Sequence, residues 1–286
     1  MEETQAAIGA AKEAGKFLLE AFKGIQDVTL KEAGEIVTEA DLKSEKIIFE
    51  KLKAEFPEYS ILSEEAGREE ASDSDMLWIV DPLDGTTNFS IKNPFFGISI
   101  ALAEKKGQSW LALSGVVCIP FTKEIFFAEK DEGAFLNGER ISVSKESELE
   151  NLLMAYCHGS GKEDLKRVLR IIPEMRPLSR DFTRMRAGAA ELAFVACGRL
   201  GGYVSPGGMP WDSAAGVLLV REAGGKVTDF KGNDVQADRQ GDLIATNGLI
   251  HQKILEIISR AEGETSEKEV VTEEKEQETD QGLDKI

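Results

Sequence analysis

Nine consecutive residues, 81–89 (Asp-Pro-Leu-Asp-Gly-Thr-Thr-Asn-Phe), carry the side chains best suited to chemistry. The run before them, residues 76–80, is wholly apolar and predicts a buried strand, and the Pro and Gly predict a turn directly after it. Asp81 and Asp84 would then point into the same space, which two carboxylates share only if a positive charge lies between them. Oxygen ligands at a strand end suit Mg²⁺, which binds one or two carboxylates together with a substrate phosphate.

Residues 85–87 (Gly-Thr-Thr) follow the second acid and are predicted to begin a helix. The free backbone N–H groups at the start of a helix bind anions such as phosphate. One short segment therefore offers metal ligands and a phosphate cradle together, a combination that indicates phosphoryl chemistry.

Four further acids stand at suggestive positions: Glu64, Glu65, Asp212 and Asp41. Each also has a structural alternative. Thr38 and Asp41 fit a helix capping box, Asp212 fits an N-cap, and Glu64-Glu65 fits a solvated loop. Residues 81–84 alone fit a type I turn, but a turn does not require Asp at both ends followed by Gly-Thr-Thr-Asn. The other acids gain functional weight only jointly with that segment.

Periodicity predicts two different halves for the elements that must position these residues. Helices are predicted at 3–22, 39–55, 163–172, 188–197, 211–222 and about 248–261. Strands are predicted at 59–63, 76–80, 95–103, 110–118, 124–129, 152–157, 226–230 and 243–246, with a hairpin turn at 137–138 (Asn-Gly). The first half therefore reads as two helices followed by antiparallel strands, and the second half alternates strand and helix.

Composition allows one large core or two lobes, since 286 residues with 42% hydrophobic and 30% charged side chains are ordinary for a globular protein. We expect an N-terminal α+β lobe (1–145) that carries most metal ligands and a C-terminal α/β lobe (146–262). Residues 263–286 are expected to be an acidic, disordered tail, because nine acids face three bases there.

Charge and hydropathy exclude several partners. The net charge of −18 argues against nucleic-acid binding, which needs a basic surface. We expect no membrane partner, because no apolar run is long enough to span a bilayer and the acidic start is unlike a signal peptide. Cys118, Cys157 and Cys197 form no C-x-x-C pair, so we expect buried free thiols and a cytoplasmic location.

The joint pattern resembles the inositol monophosphatase family. It comprises residues 64–65, 81–89, 211–216 (Trp-Asp-Ser-Ala-Ala-Gly) and 222–225 (Glu-Ala-Gly-Gly), in this order and spacing, and the similarity covers about 5–260. The resemblance implies the sugar phosphatase type of α+β fold, a layered α-β-α-β-α sandwich with a mainly antiparallel N-terminal sheet and an α/β C-terminal half. It also implies a lithium-sensitive homodimer.

The same resemblance implies two or three Mg²⁺ ions and a role for each matched residue. The metal ligands would be oxygens of Glu64, Asp81, Leu83 (its carbonyl), Asp84 and Asp212. Thr86, held by Asp41, would orient or deprotonate the attacking water, and the N–H groups of Gly85 and Thr86 would bind the phosphate. The substrate contacts would be Asp84, Gly85, Thr86, Ala189, Ser205 and Asp212.

The chemistry is coherent on the residues themselves. A phosphate monoester dianion repels hydroxide, so catalysis must neutralise charge and place a water in line, as two metal ions can. Thr86 cannot be the base at pH 7, so its hydroxyl only relays a proton or positions the water. His158 and His251 are the only histidines and lie in no motif, and His251 is expected on the exposed side of the last helix. Direct attack by water is therefore predicted.

Two departures from the family pattern concern the substrate. Ser205 stands where the inositol phosphatases carry an acid that contacts sugar hydroxyls, and residues 187–190 (Ala-Gly-Ala-Ala) match the family's Gly-Ser/Thr-Ala-Ala. Gly188 thus replaces a hydroxyl residue, and fewer hydrogen-bonding groups relax discrimination among alcohols. Arg184 and Arg186 either reach a second phosphate or are solvated charges.

The expected function is Mg²⁺-dependent hydrolysis of a phosphomonoester of a small polyol or sugar, with inositol 1-phosphate favoured. Fructose 1,6-bisphosphate and 3′-phosphoadenosine phosphates are the alternative substrates. A non-catalytic interaction protein on the same fold is the alternative from another class.

Overall fold

Seven helices form in the part of the chain that this computed structural model describes, residues 1–24, 28–30, 36–71, 74–159 and 161–263. They are α1 (Glu2–Ala21), α2 (Glu39–Glu55), α3 (Thr86–Ser90), α4 (Lys162–Met175), α5 (Gly188–Ala196), α6 (Pro210–Glu222) and α7 (251–263). All six predicted helices are present, and α3 is the short helix that the Gly-Thr-Thr segment was predicted to begin. None of these helices is long and apolar enough to cross a membrane.

The strands form an eight-stranded sheet, a five-stranded sheet and a separate pair. The pair is β1 (Val28–Leu30) with β2 (Ile36–Thr38). The strands of the larger sheet are β3 (Ser60–Ser63), β4 (Gly67–Glu69), β5 (Met76–Asp84), β6 (Gly97–Lys106), β7 (Ser109–Ile119), β8 (Glu124–Glu129), β9 (Gly133–Leu136) and β10 (Glu139–Arg140). Those of the smaller sheet are β11 (Leu153–Tyr156), β12 (Asp181–Thr183), β13 (Gly202–Gly208), β14 (Lys226–Thr228) and β15 (Gly241–Thr246).

Strand order separates the two halves of the chain. The larger sheet runs β10-β9-β8-β7-β6-β5-β3-β4 and is antiparallel except where β3 pairs with β5. The smaller sheet runs β12-β11-β13-β15-β14, with parallel pairs on both sides of β11 and antiparallel pairs on both sides of β15. The predicted boundary at residue 145 falls between the two sheets.

Both faces of each sheet are covered, which gives five layers. Trp78 and Val80 of β5 pack against α1 and α2, whereas their neighbours Leu77 and Ile79 pack against α5 and α6. Successive side chains of a strand point to opposite faces, so an unbroken apolar run indicates a strand buried on both sides.

The smaller sheet repeats this arrangement. On β13, Tyr203 faces α5 and α6, and Val204 belongs to the cluster of α4 and α7 on the outer face. The order is therefore α1/α2, larger sheet, α5/α6, smaller sheet, α4/α7. This confirms the predicted α-β-α-β-α sandwich. Residues 264–286, nearly all of the predicted acidic tail, lie outside the described residues.

His251 is buried, so the expectation of an exposed histidine was wrong. Its Nε2 and Nδ1 each lie 2.9 Å from a threonine Oγ1, those of Thr228 and Thr246 respectively. Thr228 Oγ1 donates its own hydrogen to Asp229 O, so it accepts from Nε2–H and leaves Nδ1 to accept from Thr246. This pattern satisfies the neutral imidazole and joins the start of α7 to β14 and β15.

Stability should therefore fall on mild acidification. Burial, followed by the charge of Lys226, lowers the pKa of His251 from 6.5 to about 4. The unfolded chain takes up a proton near pH 6.5 while the folded chain does not, so this contribution is complete above pH 6.5 and is lost between pH 6.5 and 4. We expect about 2 kcal/mol of the unfolding free energy to be lost between pH 7 and 5 in the wild type relative to His251→Gln. Urea unfolding at both pH values measures this, and a parallel pH dependence in the two proteins would refute it.

Candidate active site

Asp41 caps a helix and also contacts Thr86. The capping interpretation is therefore confirmed, and the catalytic role of this acid stays a prediction. Its Oδ2 accepts from the backbone N–H and the hydroxyl of Thr38, at 2.8 and 2.6 Å, which completes the capping box of α2. Its Oδ1 lies 2.9 Å from Thr86 Oγ1, which is also 3.0 Å from Leu83 O. Burial raises the pKa of Asp41, and hydrogen bonds from Thr38 and Thr86 oppose this.

The regular pairing of β5 with β6 is interrupted between the two acids of the motif, Asp81 and Asp84. Pairing with β6 is regular up to Asp81, and the register shifts before Asp84. Pro82 has no N–H to donate to a neighbouring strand, and its carbonyl accepts instead from Ser44 Oγ at 2.6 Å. Leu83 N–H donates to Asp81 Oδ1 at 3.0 Å. This irregularity re-aims Asp81, the Leu83 carbonyl and Asp84 toward one space.

Glu64 reaches that space because β3 is parallel to β5. Ser63 pairs with Val80, so Glu64 and Asp81 directly follow paired residues at the same edge of the sheet. The turn after β3 is held by Glu45 of α2, whose Oε2 accepts from the Ser63 hydroxyl and, at 3.1 Å, from the backbone N–H of Ala66.

Asp212 lies in the first turn of α6, and the N-cap is Met209. The alternative that Asp212 caps this helix was therefore wrong. Ser99 of β6 donates to the carbonyl of the preceding Trp211 at 3.0 Å, which fixes the start of α6 against the larger sheet. An acid in a first helical turn is also favoured by the helix dipole.

Four carboxylates are thus brought together, and their charges act on one another. Burial raises the pKa of Asp81 well above its usual range, and the negative charges of Glu64, Asp84 and Asp212 raise it further. Burial likewise raises the pKa of Asp84 to about 7, although backbone N–H groups of α5 favour its charged form. Such a cluster needs a positive partner.

The space between them is a cavity of about 340 Å³. Its lining includes the acids Glu64, Asp81, Asp84, Glu191 and Asp212, the motif residues Leu83, Gly85, Thr86 and Thr87, and the basic residues His158, Arg184 and Arg186. Another cavity, of about 710 Å³ beside α1, has three lysines and no carboxylate among its lining residues. Of these two cavities, the smaller one is therefore the one that suits a metal-assisted reaction.

The acids surround this cavity and do not close into a cage. Among the described residues, no three His, Cys, Asp or Glu side chains converge as a ready-made metal site. Mg²⁺ does not need one, because it usually keeps several waters and binds one or two carboxylates plus a substrate phosphate.

Comparison with known proteins identifies the family of this chain. A model described as the inositol monophosphatase family matches residues 1–263. The chain belongs to the inositol monophosphatase family. It is thereby a phosphomonoesterase.

Relatives and solved structures match along nearly all of their own length. An inositol-1-monophosphatase from Mesorhizobium japonicum is 38% identical over 263 residues, which is 88% of this chain and 94% of the relative. The Nus factor SuhB of Escherichia coli is 37% identical over 252 residues, 87% and 92% of the two chains. The crystal structure of the extragenic suppressor protein suhB from Bartonella henselae superposes with a TM-score of 0.84 at 36% identity, covering 90% of this chain and 98% of that one. An IMPase from Thermotoga maritima superposes with a TM-score of 0.82 at 33% identity, covering 92% of this chain and 99% of that one.

Within this family site, two predicted substrate contacts do not line the cavity. Ala189 is buried in α5, and Ser205 is buried and hydrogen-bonded to the side chain of Tyr203. Gly188 lines the cavity instead, and a Cβ there would lie 3.0 Å from the Tyr203 hydroxyl and 3.7 Å from Asp212 Cβ. The cavity is thus lined by Gly188 and not by the predicted contact Ala189.

Backbone geometry explains this displacement. The family's Gly-Ser/Thr-Ala-Ala was matched to residues 187–190, but Ala187 has φ −150°, whereas Arg186 has φ +65°. A motif glycine belongs where φ is positive, so the match should begin one residue earlier, at Arg186. Gly188 then takes the place of the first Ala of the motif, and Ala187 takes that of the Ser/Thr.

Sequence reasoning missed two buried polar residues beside the cavity, Asn88 and Glu191. Asn88 lay within the motif without a role. Glu191 is the only charged residue in α5, a helix of mostly small and apolar residues. A single acid in such a helix was the sequence feature that could have indicated its buried role.

Gly85 should be irreplaceable for two separable reasons. Its φ is +90°, and a Cβ would lie 3.1–3.3 Å from Arg186 O, Ala187 Cβ and Phe95 O. Gly67 has a similar φ of +72° with nothing within 4 Å, so it isolates the backbone cost. We expect Gly67→Ala to lose about 1 kcal/mol of unfolding free energy, and Gly85→Ala about 2–4 kcal/mol together with activity. Denaturant unfolding and turnover measure both, and equal losses would contradict the contact argument.

Proposed function

We propose that this protein hydrolyses the phosphomonoester of a small polyol or sugar, inositol 1-phosphate being favoured, by direct attack of water with Mg²⁺ as cofactor. The observation that carries the proposal is that the four carboxylates of Glu64, Asp81, Asp84 and Asp212 line one cavity, with the Asp41–Thr86 pair at its edge. The relatives named inositol-1-monophosphatase support the choice of substrate.

The donor set fits divalent magnesium. Every proposed ligand is a hard oxygen: Glu64, Asp81, the Leu83 carbonyl, Asp84 and Asp212. The mutual repulsion that raises the pKa of Asp81 also favours a cation between these groups. When bound, two or three Mg²⁺ ions would neutralise phosphate charge and lower the pKa of the attacking water.

Thr86 and Asp41 act on the water. Because the Thr86 hydroxyl donates to Asp41, its oxygen lone pairs remain to accept a hydrogen bond from a water in the cavity. Asp41 fixes this orientation, since its other oxygen is held by Thr38. The pair thus positions the water and offers a route for its proton.

The phosphate and the alcohol contact other residues. The backbone N–H groups of Gly85 and Thr86 are proposed to bind the phosphate, and Asp84 and Asp212 to contact the substrate. On the alcohol side the cavity presents Gly188, which offers no side chain to bind a particular hydroxyl. Discrimination among small alcohols should therefore be modest.

Two alternatives have support. Arg184 and Arg186 in the cavity favour a substrate with a second phosphate, such as fructose 1,6-bisphosphate or a 3′-phosphoadenosine phosphate. The relatives named Nus factor SuhB favour a second role as an interaction protein on the same fold. Phosphate release from each compound with and without Mg²⁺ separates the substrates, and it distinguishes an enzyme from a non-catalytic interaction protein on the same fold.

Removing one carboxylate should abolish turnover without unfolding the protein. We expect Asp81→Asn and Asp84→Asn to lower kcat by about three orders of magnitude, because a bound metal ion supplies several kcal/mol of transition-state stabilisation. Asp75→Asn is the matched control, since this exposed acid precedes the other end of β5. Phosphate release with and without a chelator measures the effect. Near-wild-type turnover of either cavity variant would refute the metal assignment.

The Thr86 hydroxyl should matter for the chemical step more than for binding. Thr86→Val keeps the shape but removes the hydroxyl, so we expect kcat to fall about 10²–10⁴-fold with little change in KM. Thr86→Ser keeps the hydroxyl and should retain most activity. If Val and Ser variants turn over equally, the water is oriented by another group.

A further inference from the structure

The 184–187 loop, which leads from β12 into α5, is fixed by two buried side chains. Asn88 of α3 donates to Met185 O at 2.8 Å and lies 3.4 Å from Arg186 O, while its Nδ2 also donates to Phe95 O at 2.7 Å. The Asn88 side chain thus joins α3 to this loop.

Glu191 holds the same loop from the other side. Its Oε1 accepts from Met185 N at 3.0 Å and its Oε2 from Ala187 N at 3.3 Å. Between these two donors, Arg186 has φ +65°, a conformation that is unfavourable for a residue with a side chain. Asn88 and Glu191 together therefore stabilise a turn that the sequence of the loop does not favour.

The turn decides where α5 begins, and the start of α5 meets Asp84. Ala190 N–H donates to Asp84 Oδ2 at 3.0 Å, and the N–H groups of Gly188 and Ala189 also favour the charged carboxylate. Because it accepts from these N–H groups, Asp84 caps α5. A residue at the end of β5 in the larger sheet thus caps a helix of the central layer. The contacts form a closed path from Asp84 through α3, the loop and α5 back to Asp84.

We propose that Glu191 is a positioning residue that sets the Asp84 carboxylate for metal binding, acting through the 184–187 loop and the first N–H groups of α5. This inference rests on the proposed metal site. The two carboxylate oxygens of Glu191 accept from two N–H donors at once. A glutamine cannot do this, because one of the two terminal atoms of its side chain is itself a donor. Groups that orient metal ligands typically change metal affinity by 10–100-fold when removed.

The test compares Glu191→Ala with Val195→Ala in the full chain. Val195 is fully buried one turn further along α5, so its truncation weakens packing without touching the loop contacts. The first readout is the Mg²⁺-induced rise in Tm without substrate, and the second is the Mg²⁺ concentration for half-maximal phosphate release. We expect Glu191→Ala to need at least about tenfold more Mg²⁺ in both, and Val195→Ala to lower Tm with an unchanged Mg²⁺ requirement.

A second pair of variants tests the loop as the intermediary. Arg186→Gly and Arg186→Ala both remove the guanidinium, but only glycine accepts a positive φ without strain. Added to Glu191→Ala, Arg186→Gly should restore part of the Mg²⁺ affinity and Arg186→Ala should not, because only the backbone preference differs between them.

The outcomes are distinguishable. Suppose that the wild type responds to Mg²⁺ in both readouts and that Glu191→Ala and Val195→Ala need the same Mg²⁺ concentration as the wild type. Glu191 is then only a packing residue, and the inference is overturned. If glycine and alanine at position 186 rescue equally, the loop does not transmit the effect and the inference is overturned as well. If neither the Tm nor the phosphate release of the wild type changes with Mg²⁺, the proposed function is overturned, and this inference with it.

Discussion

The repulsion among Glu64, Asp81, Asp84 and Asp212 is the constraint on which the arrangement of this molecule depends. Buried carboxylates favour their neutral forms, and each neighbour strengthens that tendency. Secondary structure keeps them in place: a parallel strand pair for Glu64 and Asp81, a strand irregularity for Asp84, and the first turn of a helix for Asp212. Their attachment to separate rigid elements prevents the carboxylates from moving apart.

The central helical layer makes this arrangement possible. α5 and α6 are buried between the two sheets, and each presents its N-terminal turn to the cavity. One of these turns binds Asp84 through backbone N–H groups, and the other carries Asp212. Because the positive end of a helix dipole favours negative charge, both helices lower the cost of collecting carboxylates there. The core and the site are therefore built from the same two helices.

Local patterns predicted six of the helices and eight of the fifteen strands of the described residues, and most of the missed strands are two to four residues long. The contacts between distant residues could not be predicted from local patterns. The capping box joins Thr38 and Asp41, which are three residues apart, and is visible in the sequence, whereas the hydrogen bond from Thr86 to Asp41 joins residues 45 apart. β13 was missed because Pro206 and its glycines do not resemble a strand, although it is buried at the centre of its sheet. The proposed ligands followed from the motif, and their roles remain predictions.

His251 and Gly188 show the two remaining sources of error. A histidine at the start of an amphipathic helix has no local signal of burial, because two threonines from distant strands satisfy it. The displaced match at Gly188 arose because sequence similarity ignores φ, and a left-handed Arg186 occupies a position that favours glycine. Both depend on tertiary structure, which overrides local preference.

The cap that Asp84 provides for α5 has a consequence for how the chain is made. Synthesis on the ribosome proceeds from the N-terminus, and domains tend to fold in that order. Asp84 therefore emerges about 100 residues before the helix whose N–H groups it binds. The rest of its sheet is also synthesised before that helix begins. The larger sheet can act as a template that awaits the second half, and a nascent chain that stops before α5 exposes an acidic cluster lacking its main hydrogen-bond donors. The site is thus completed only when the second half of the chain, with α5 and α6, has been made.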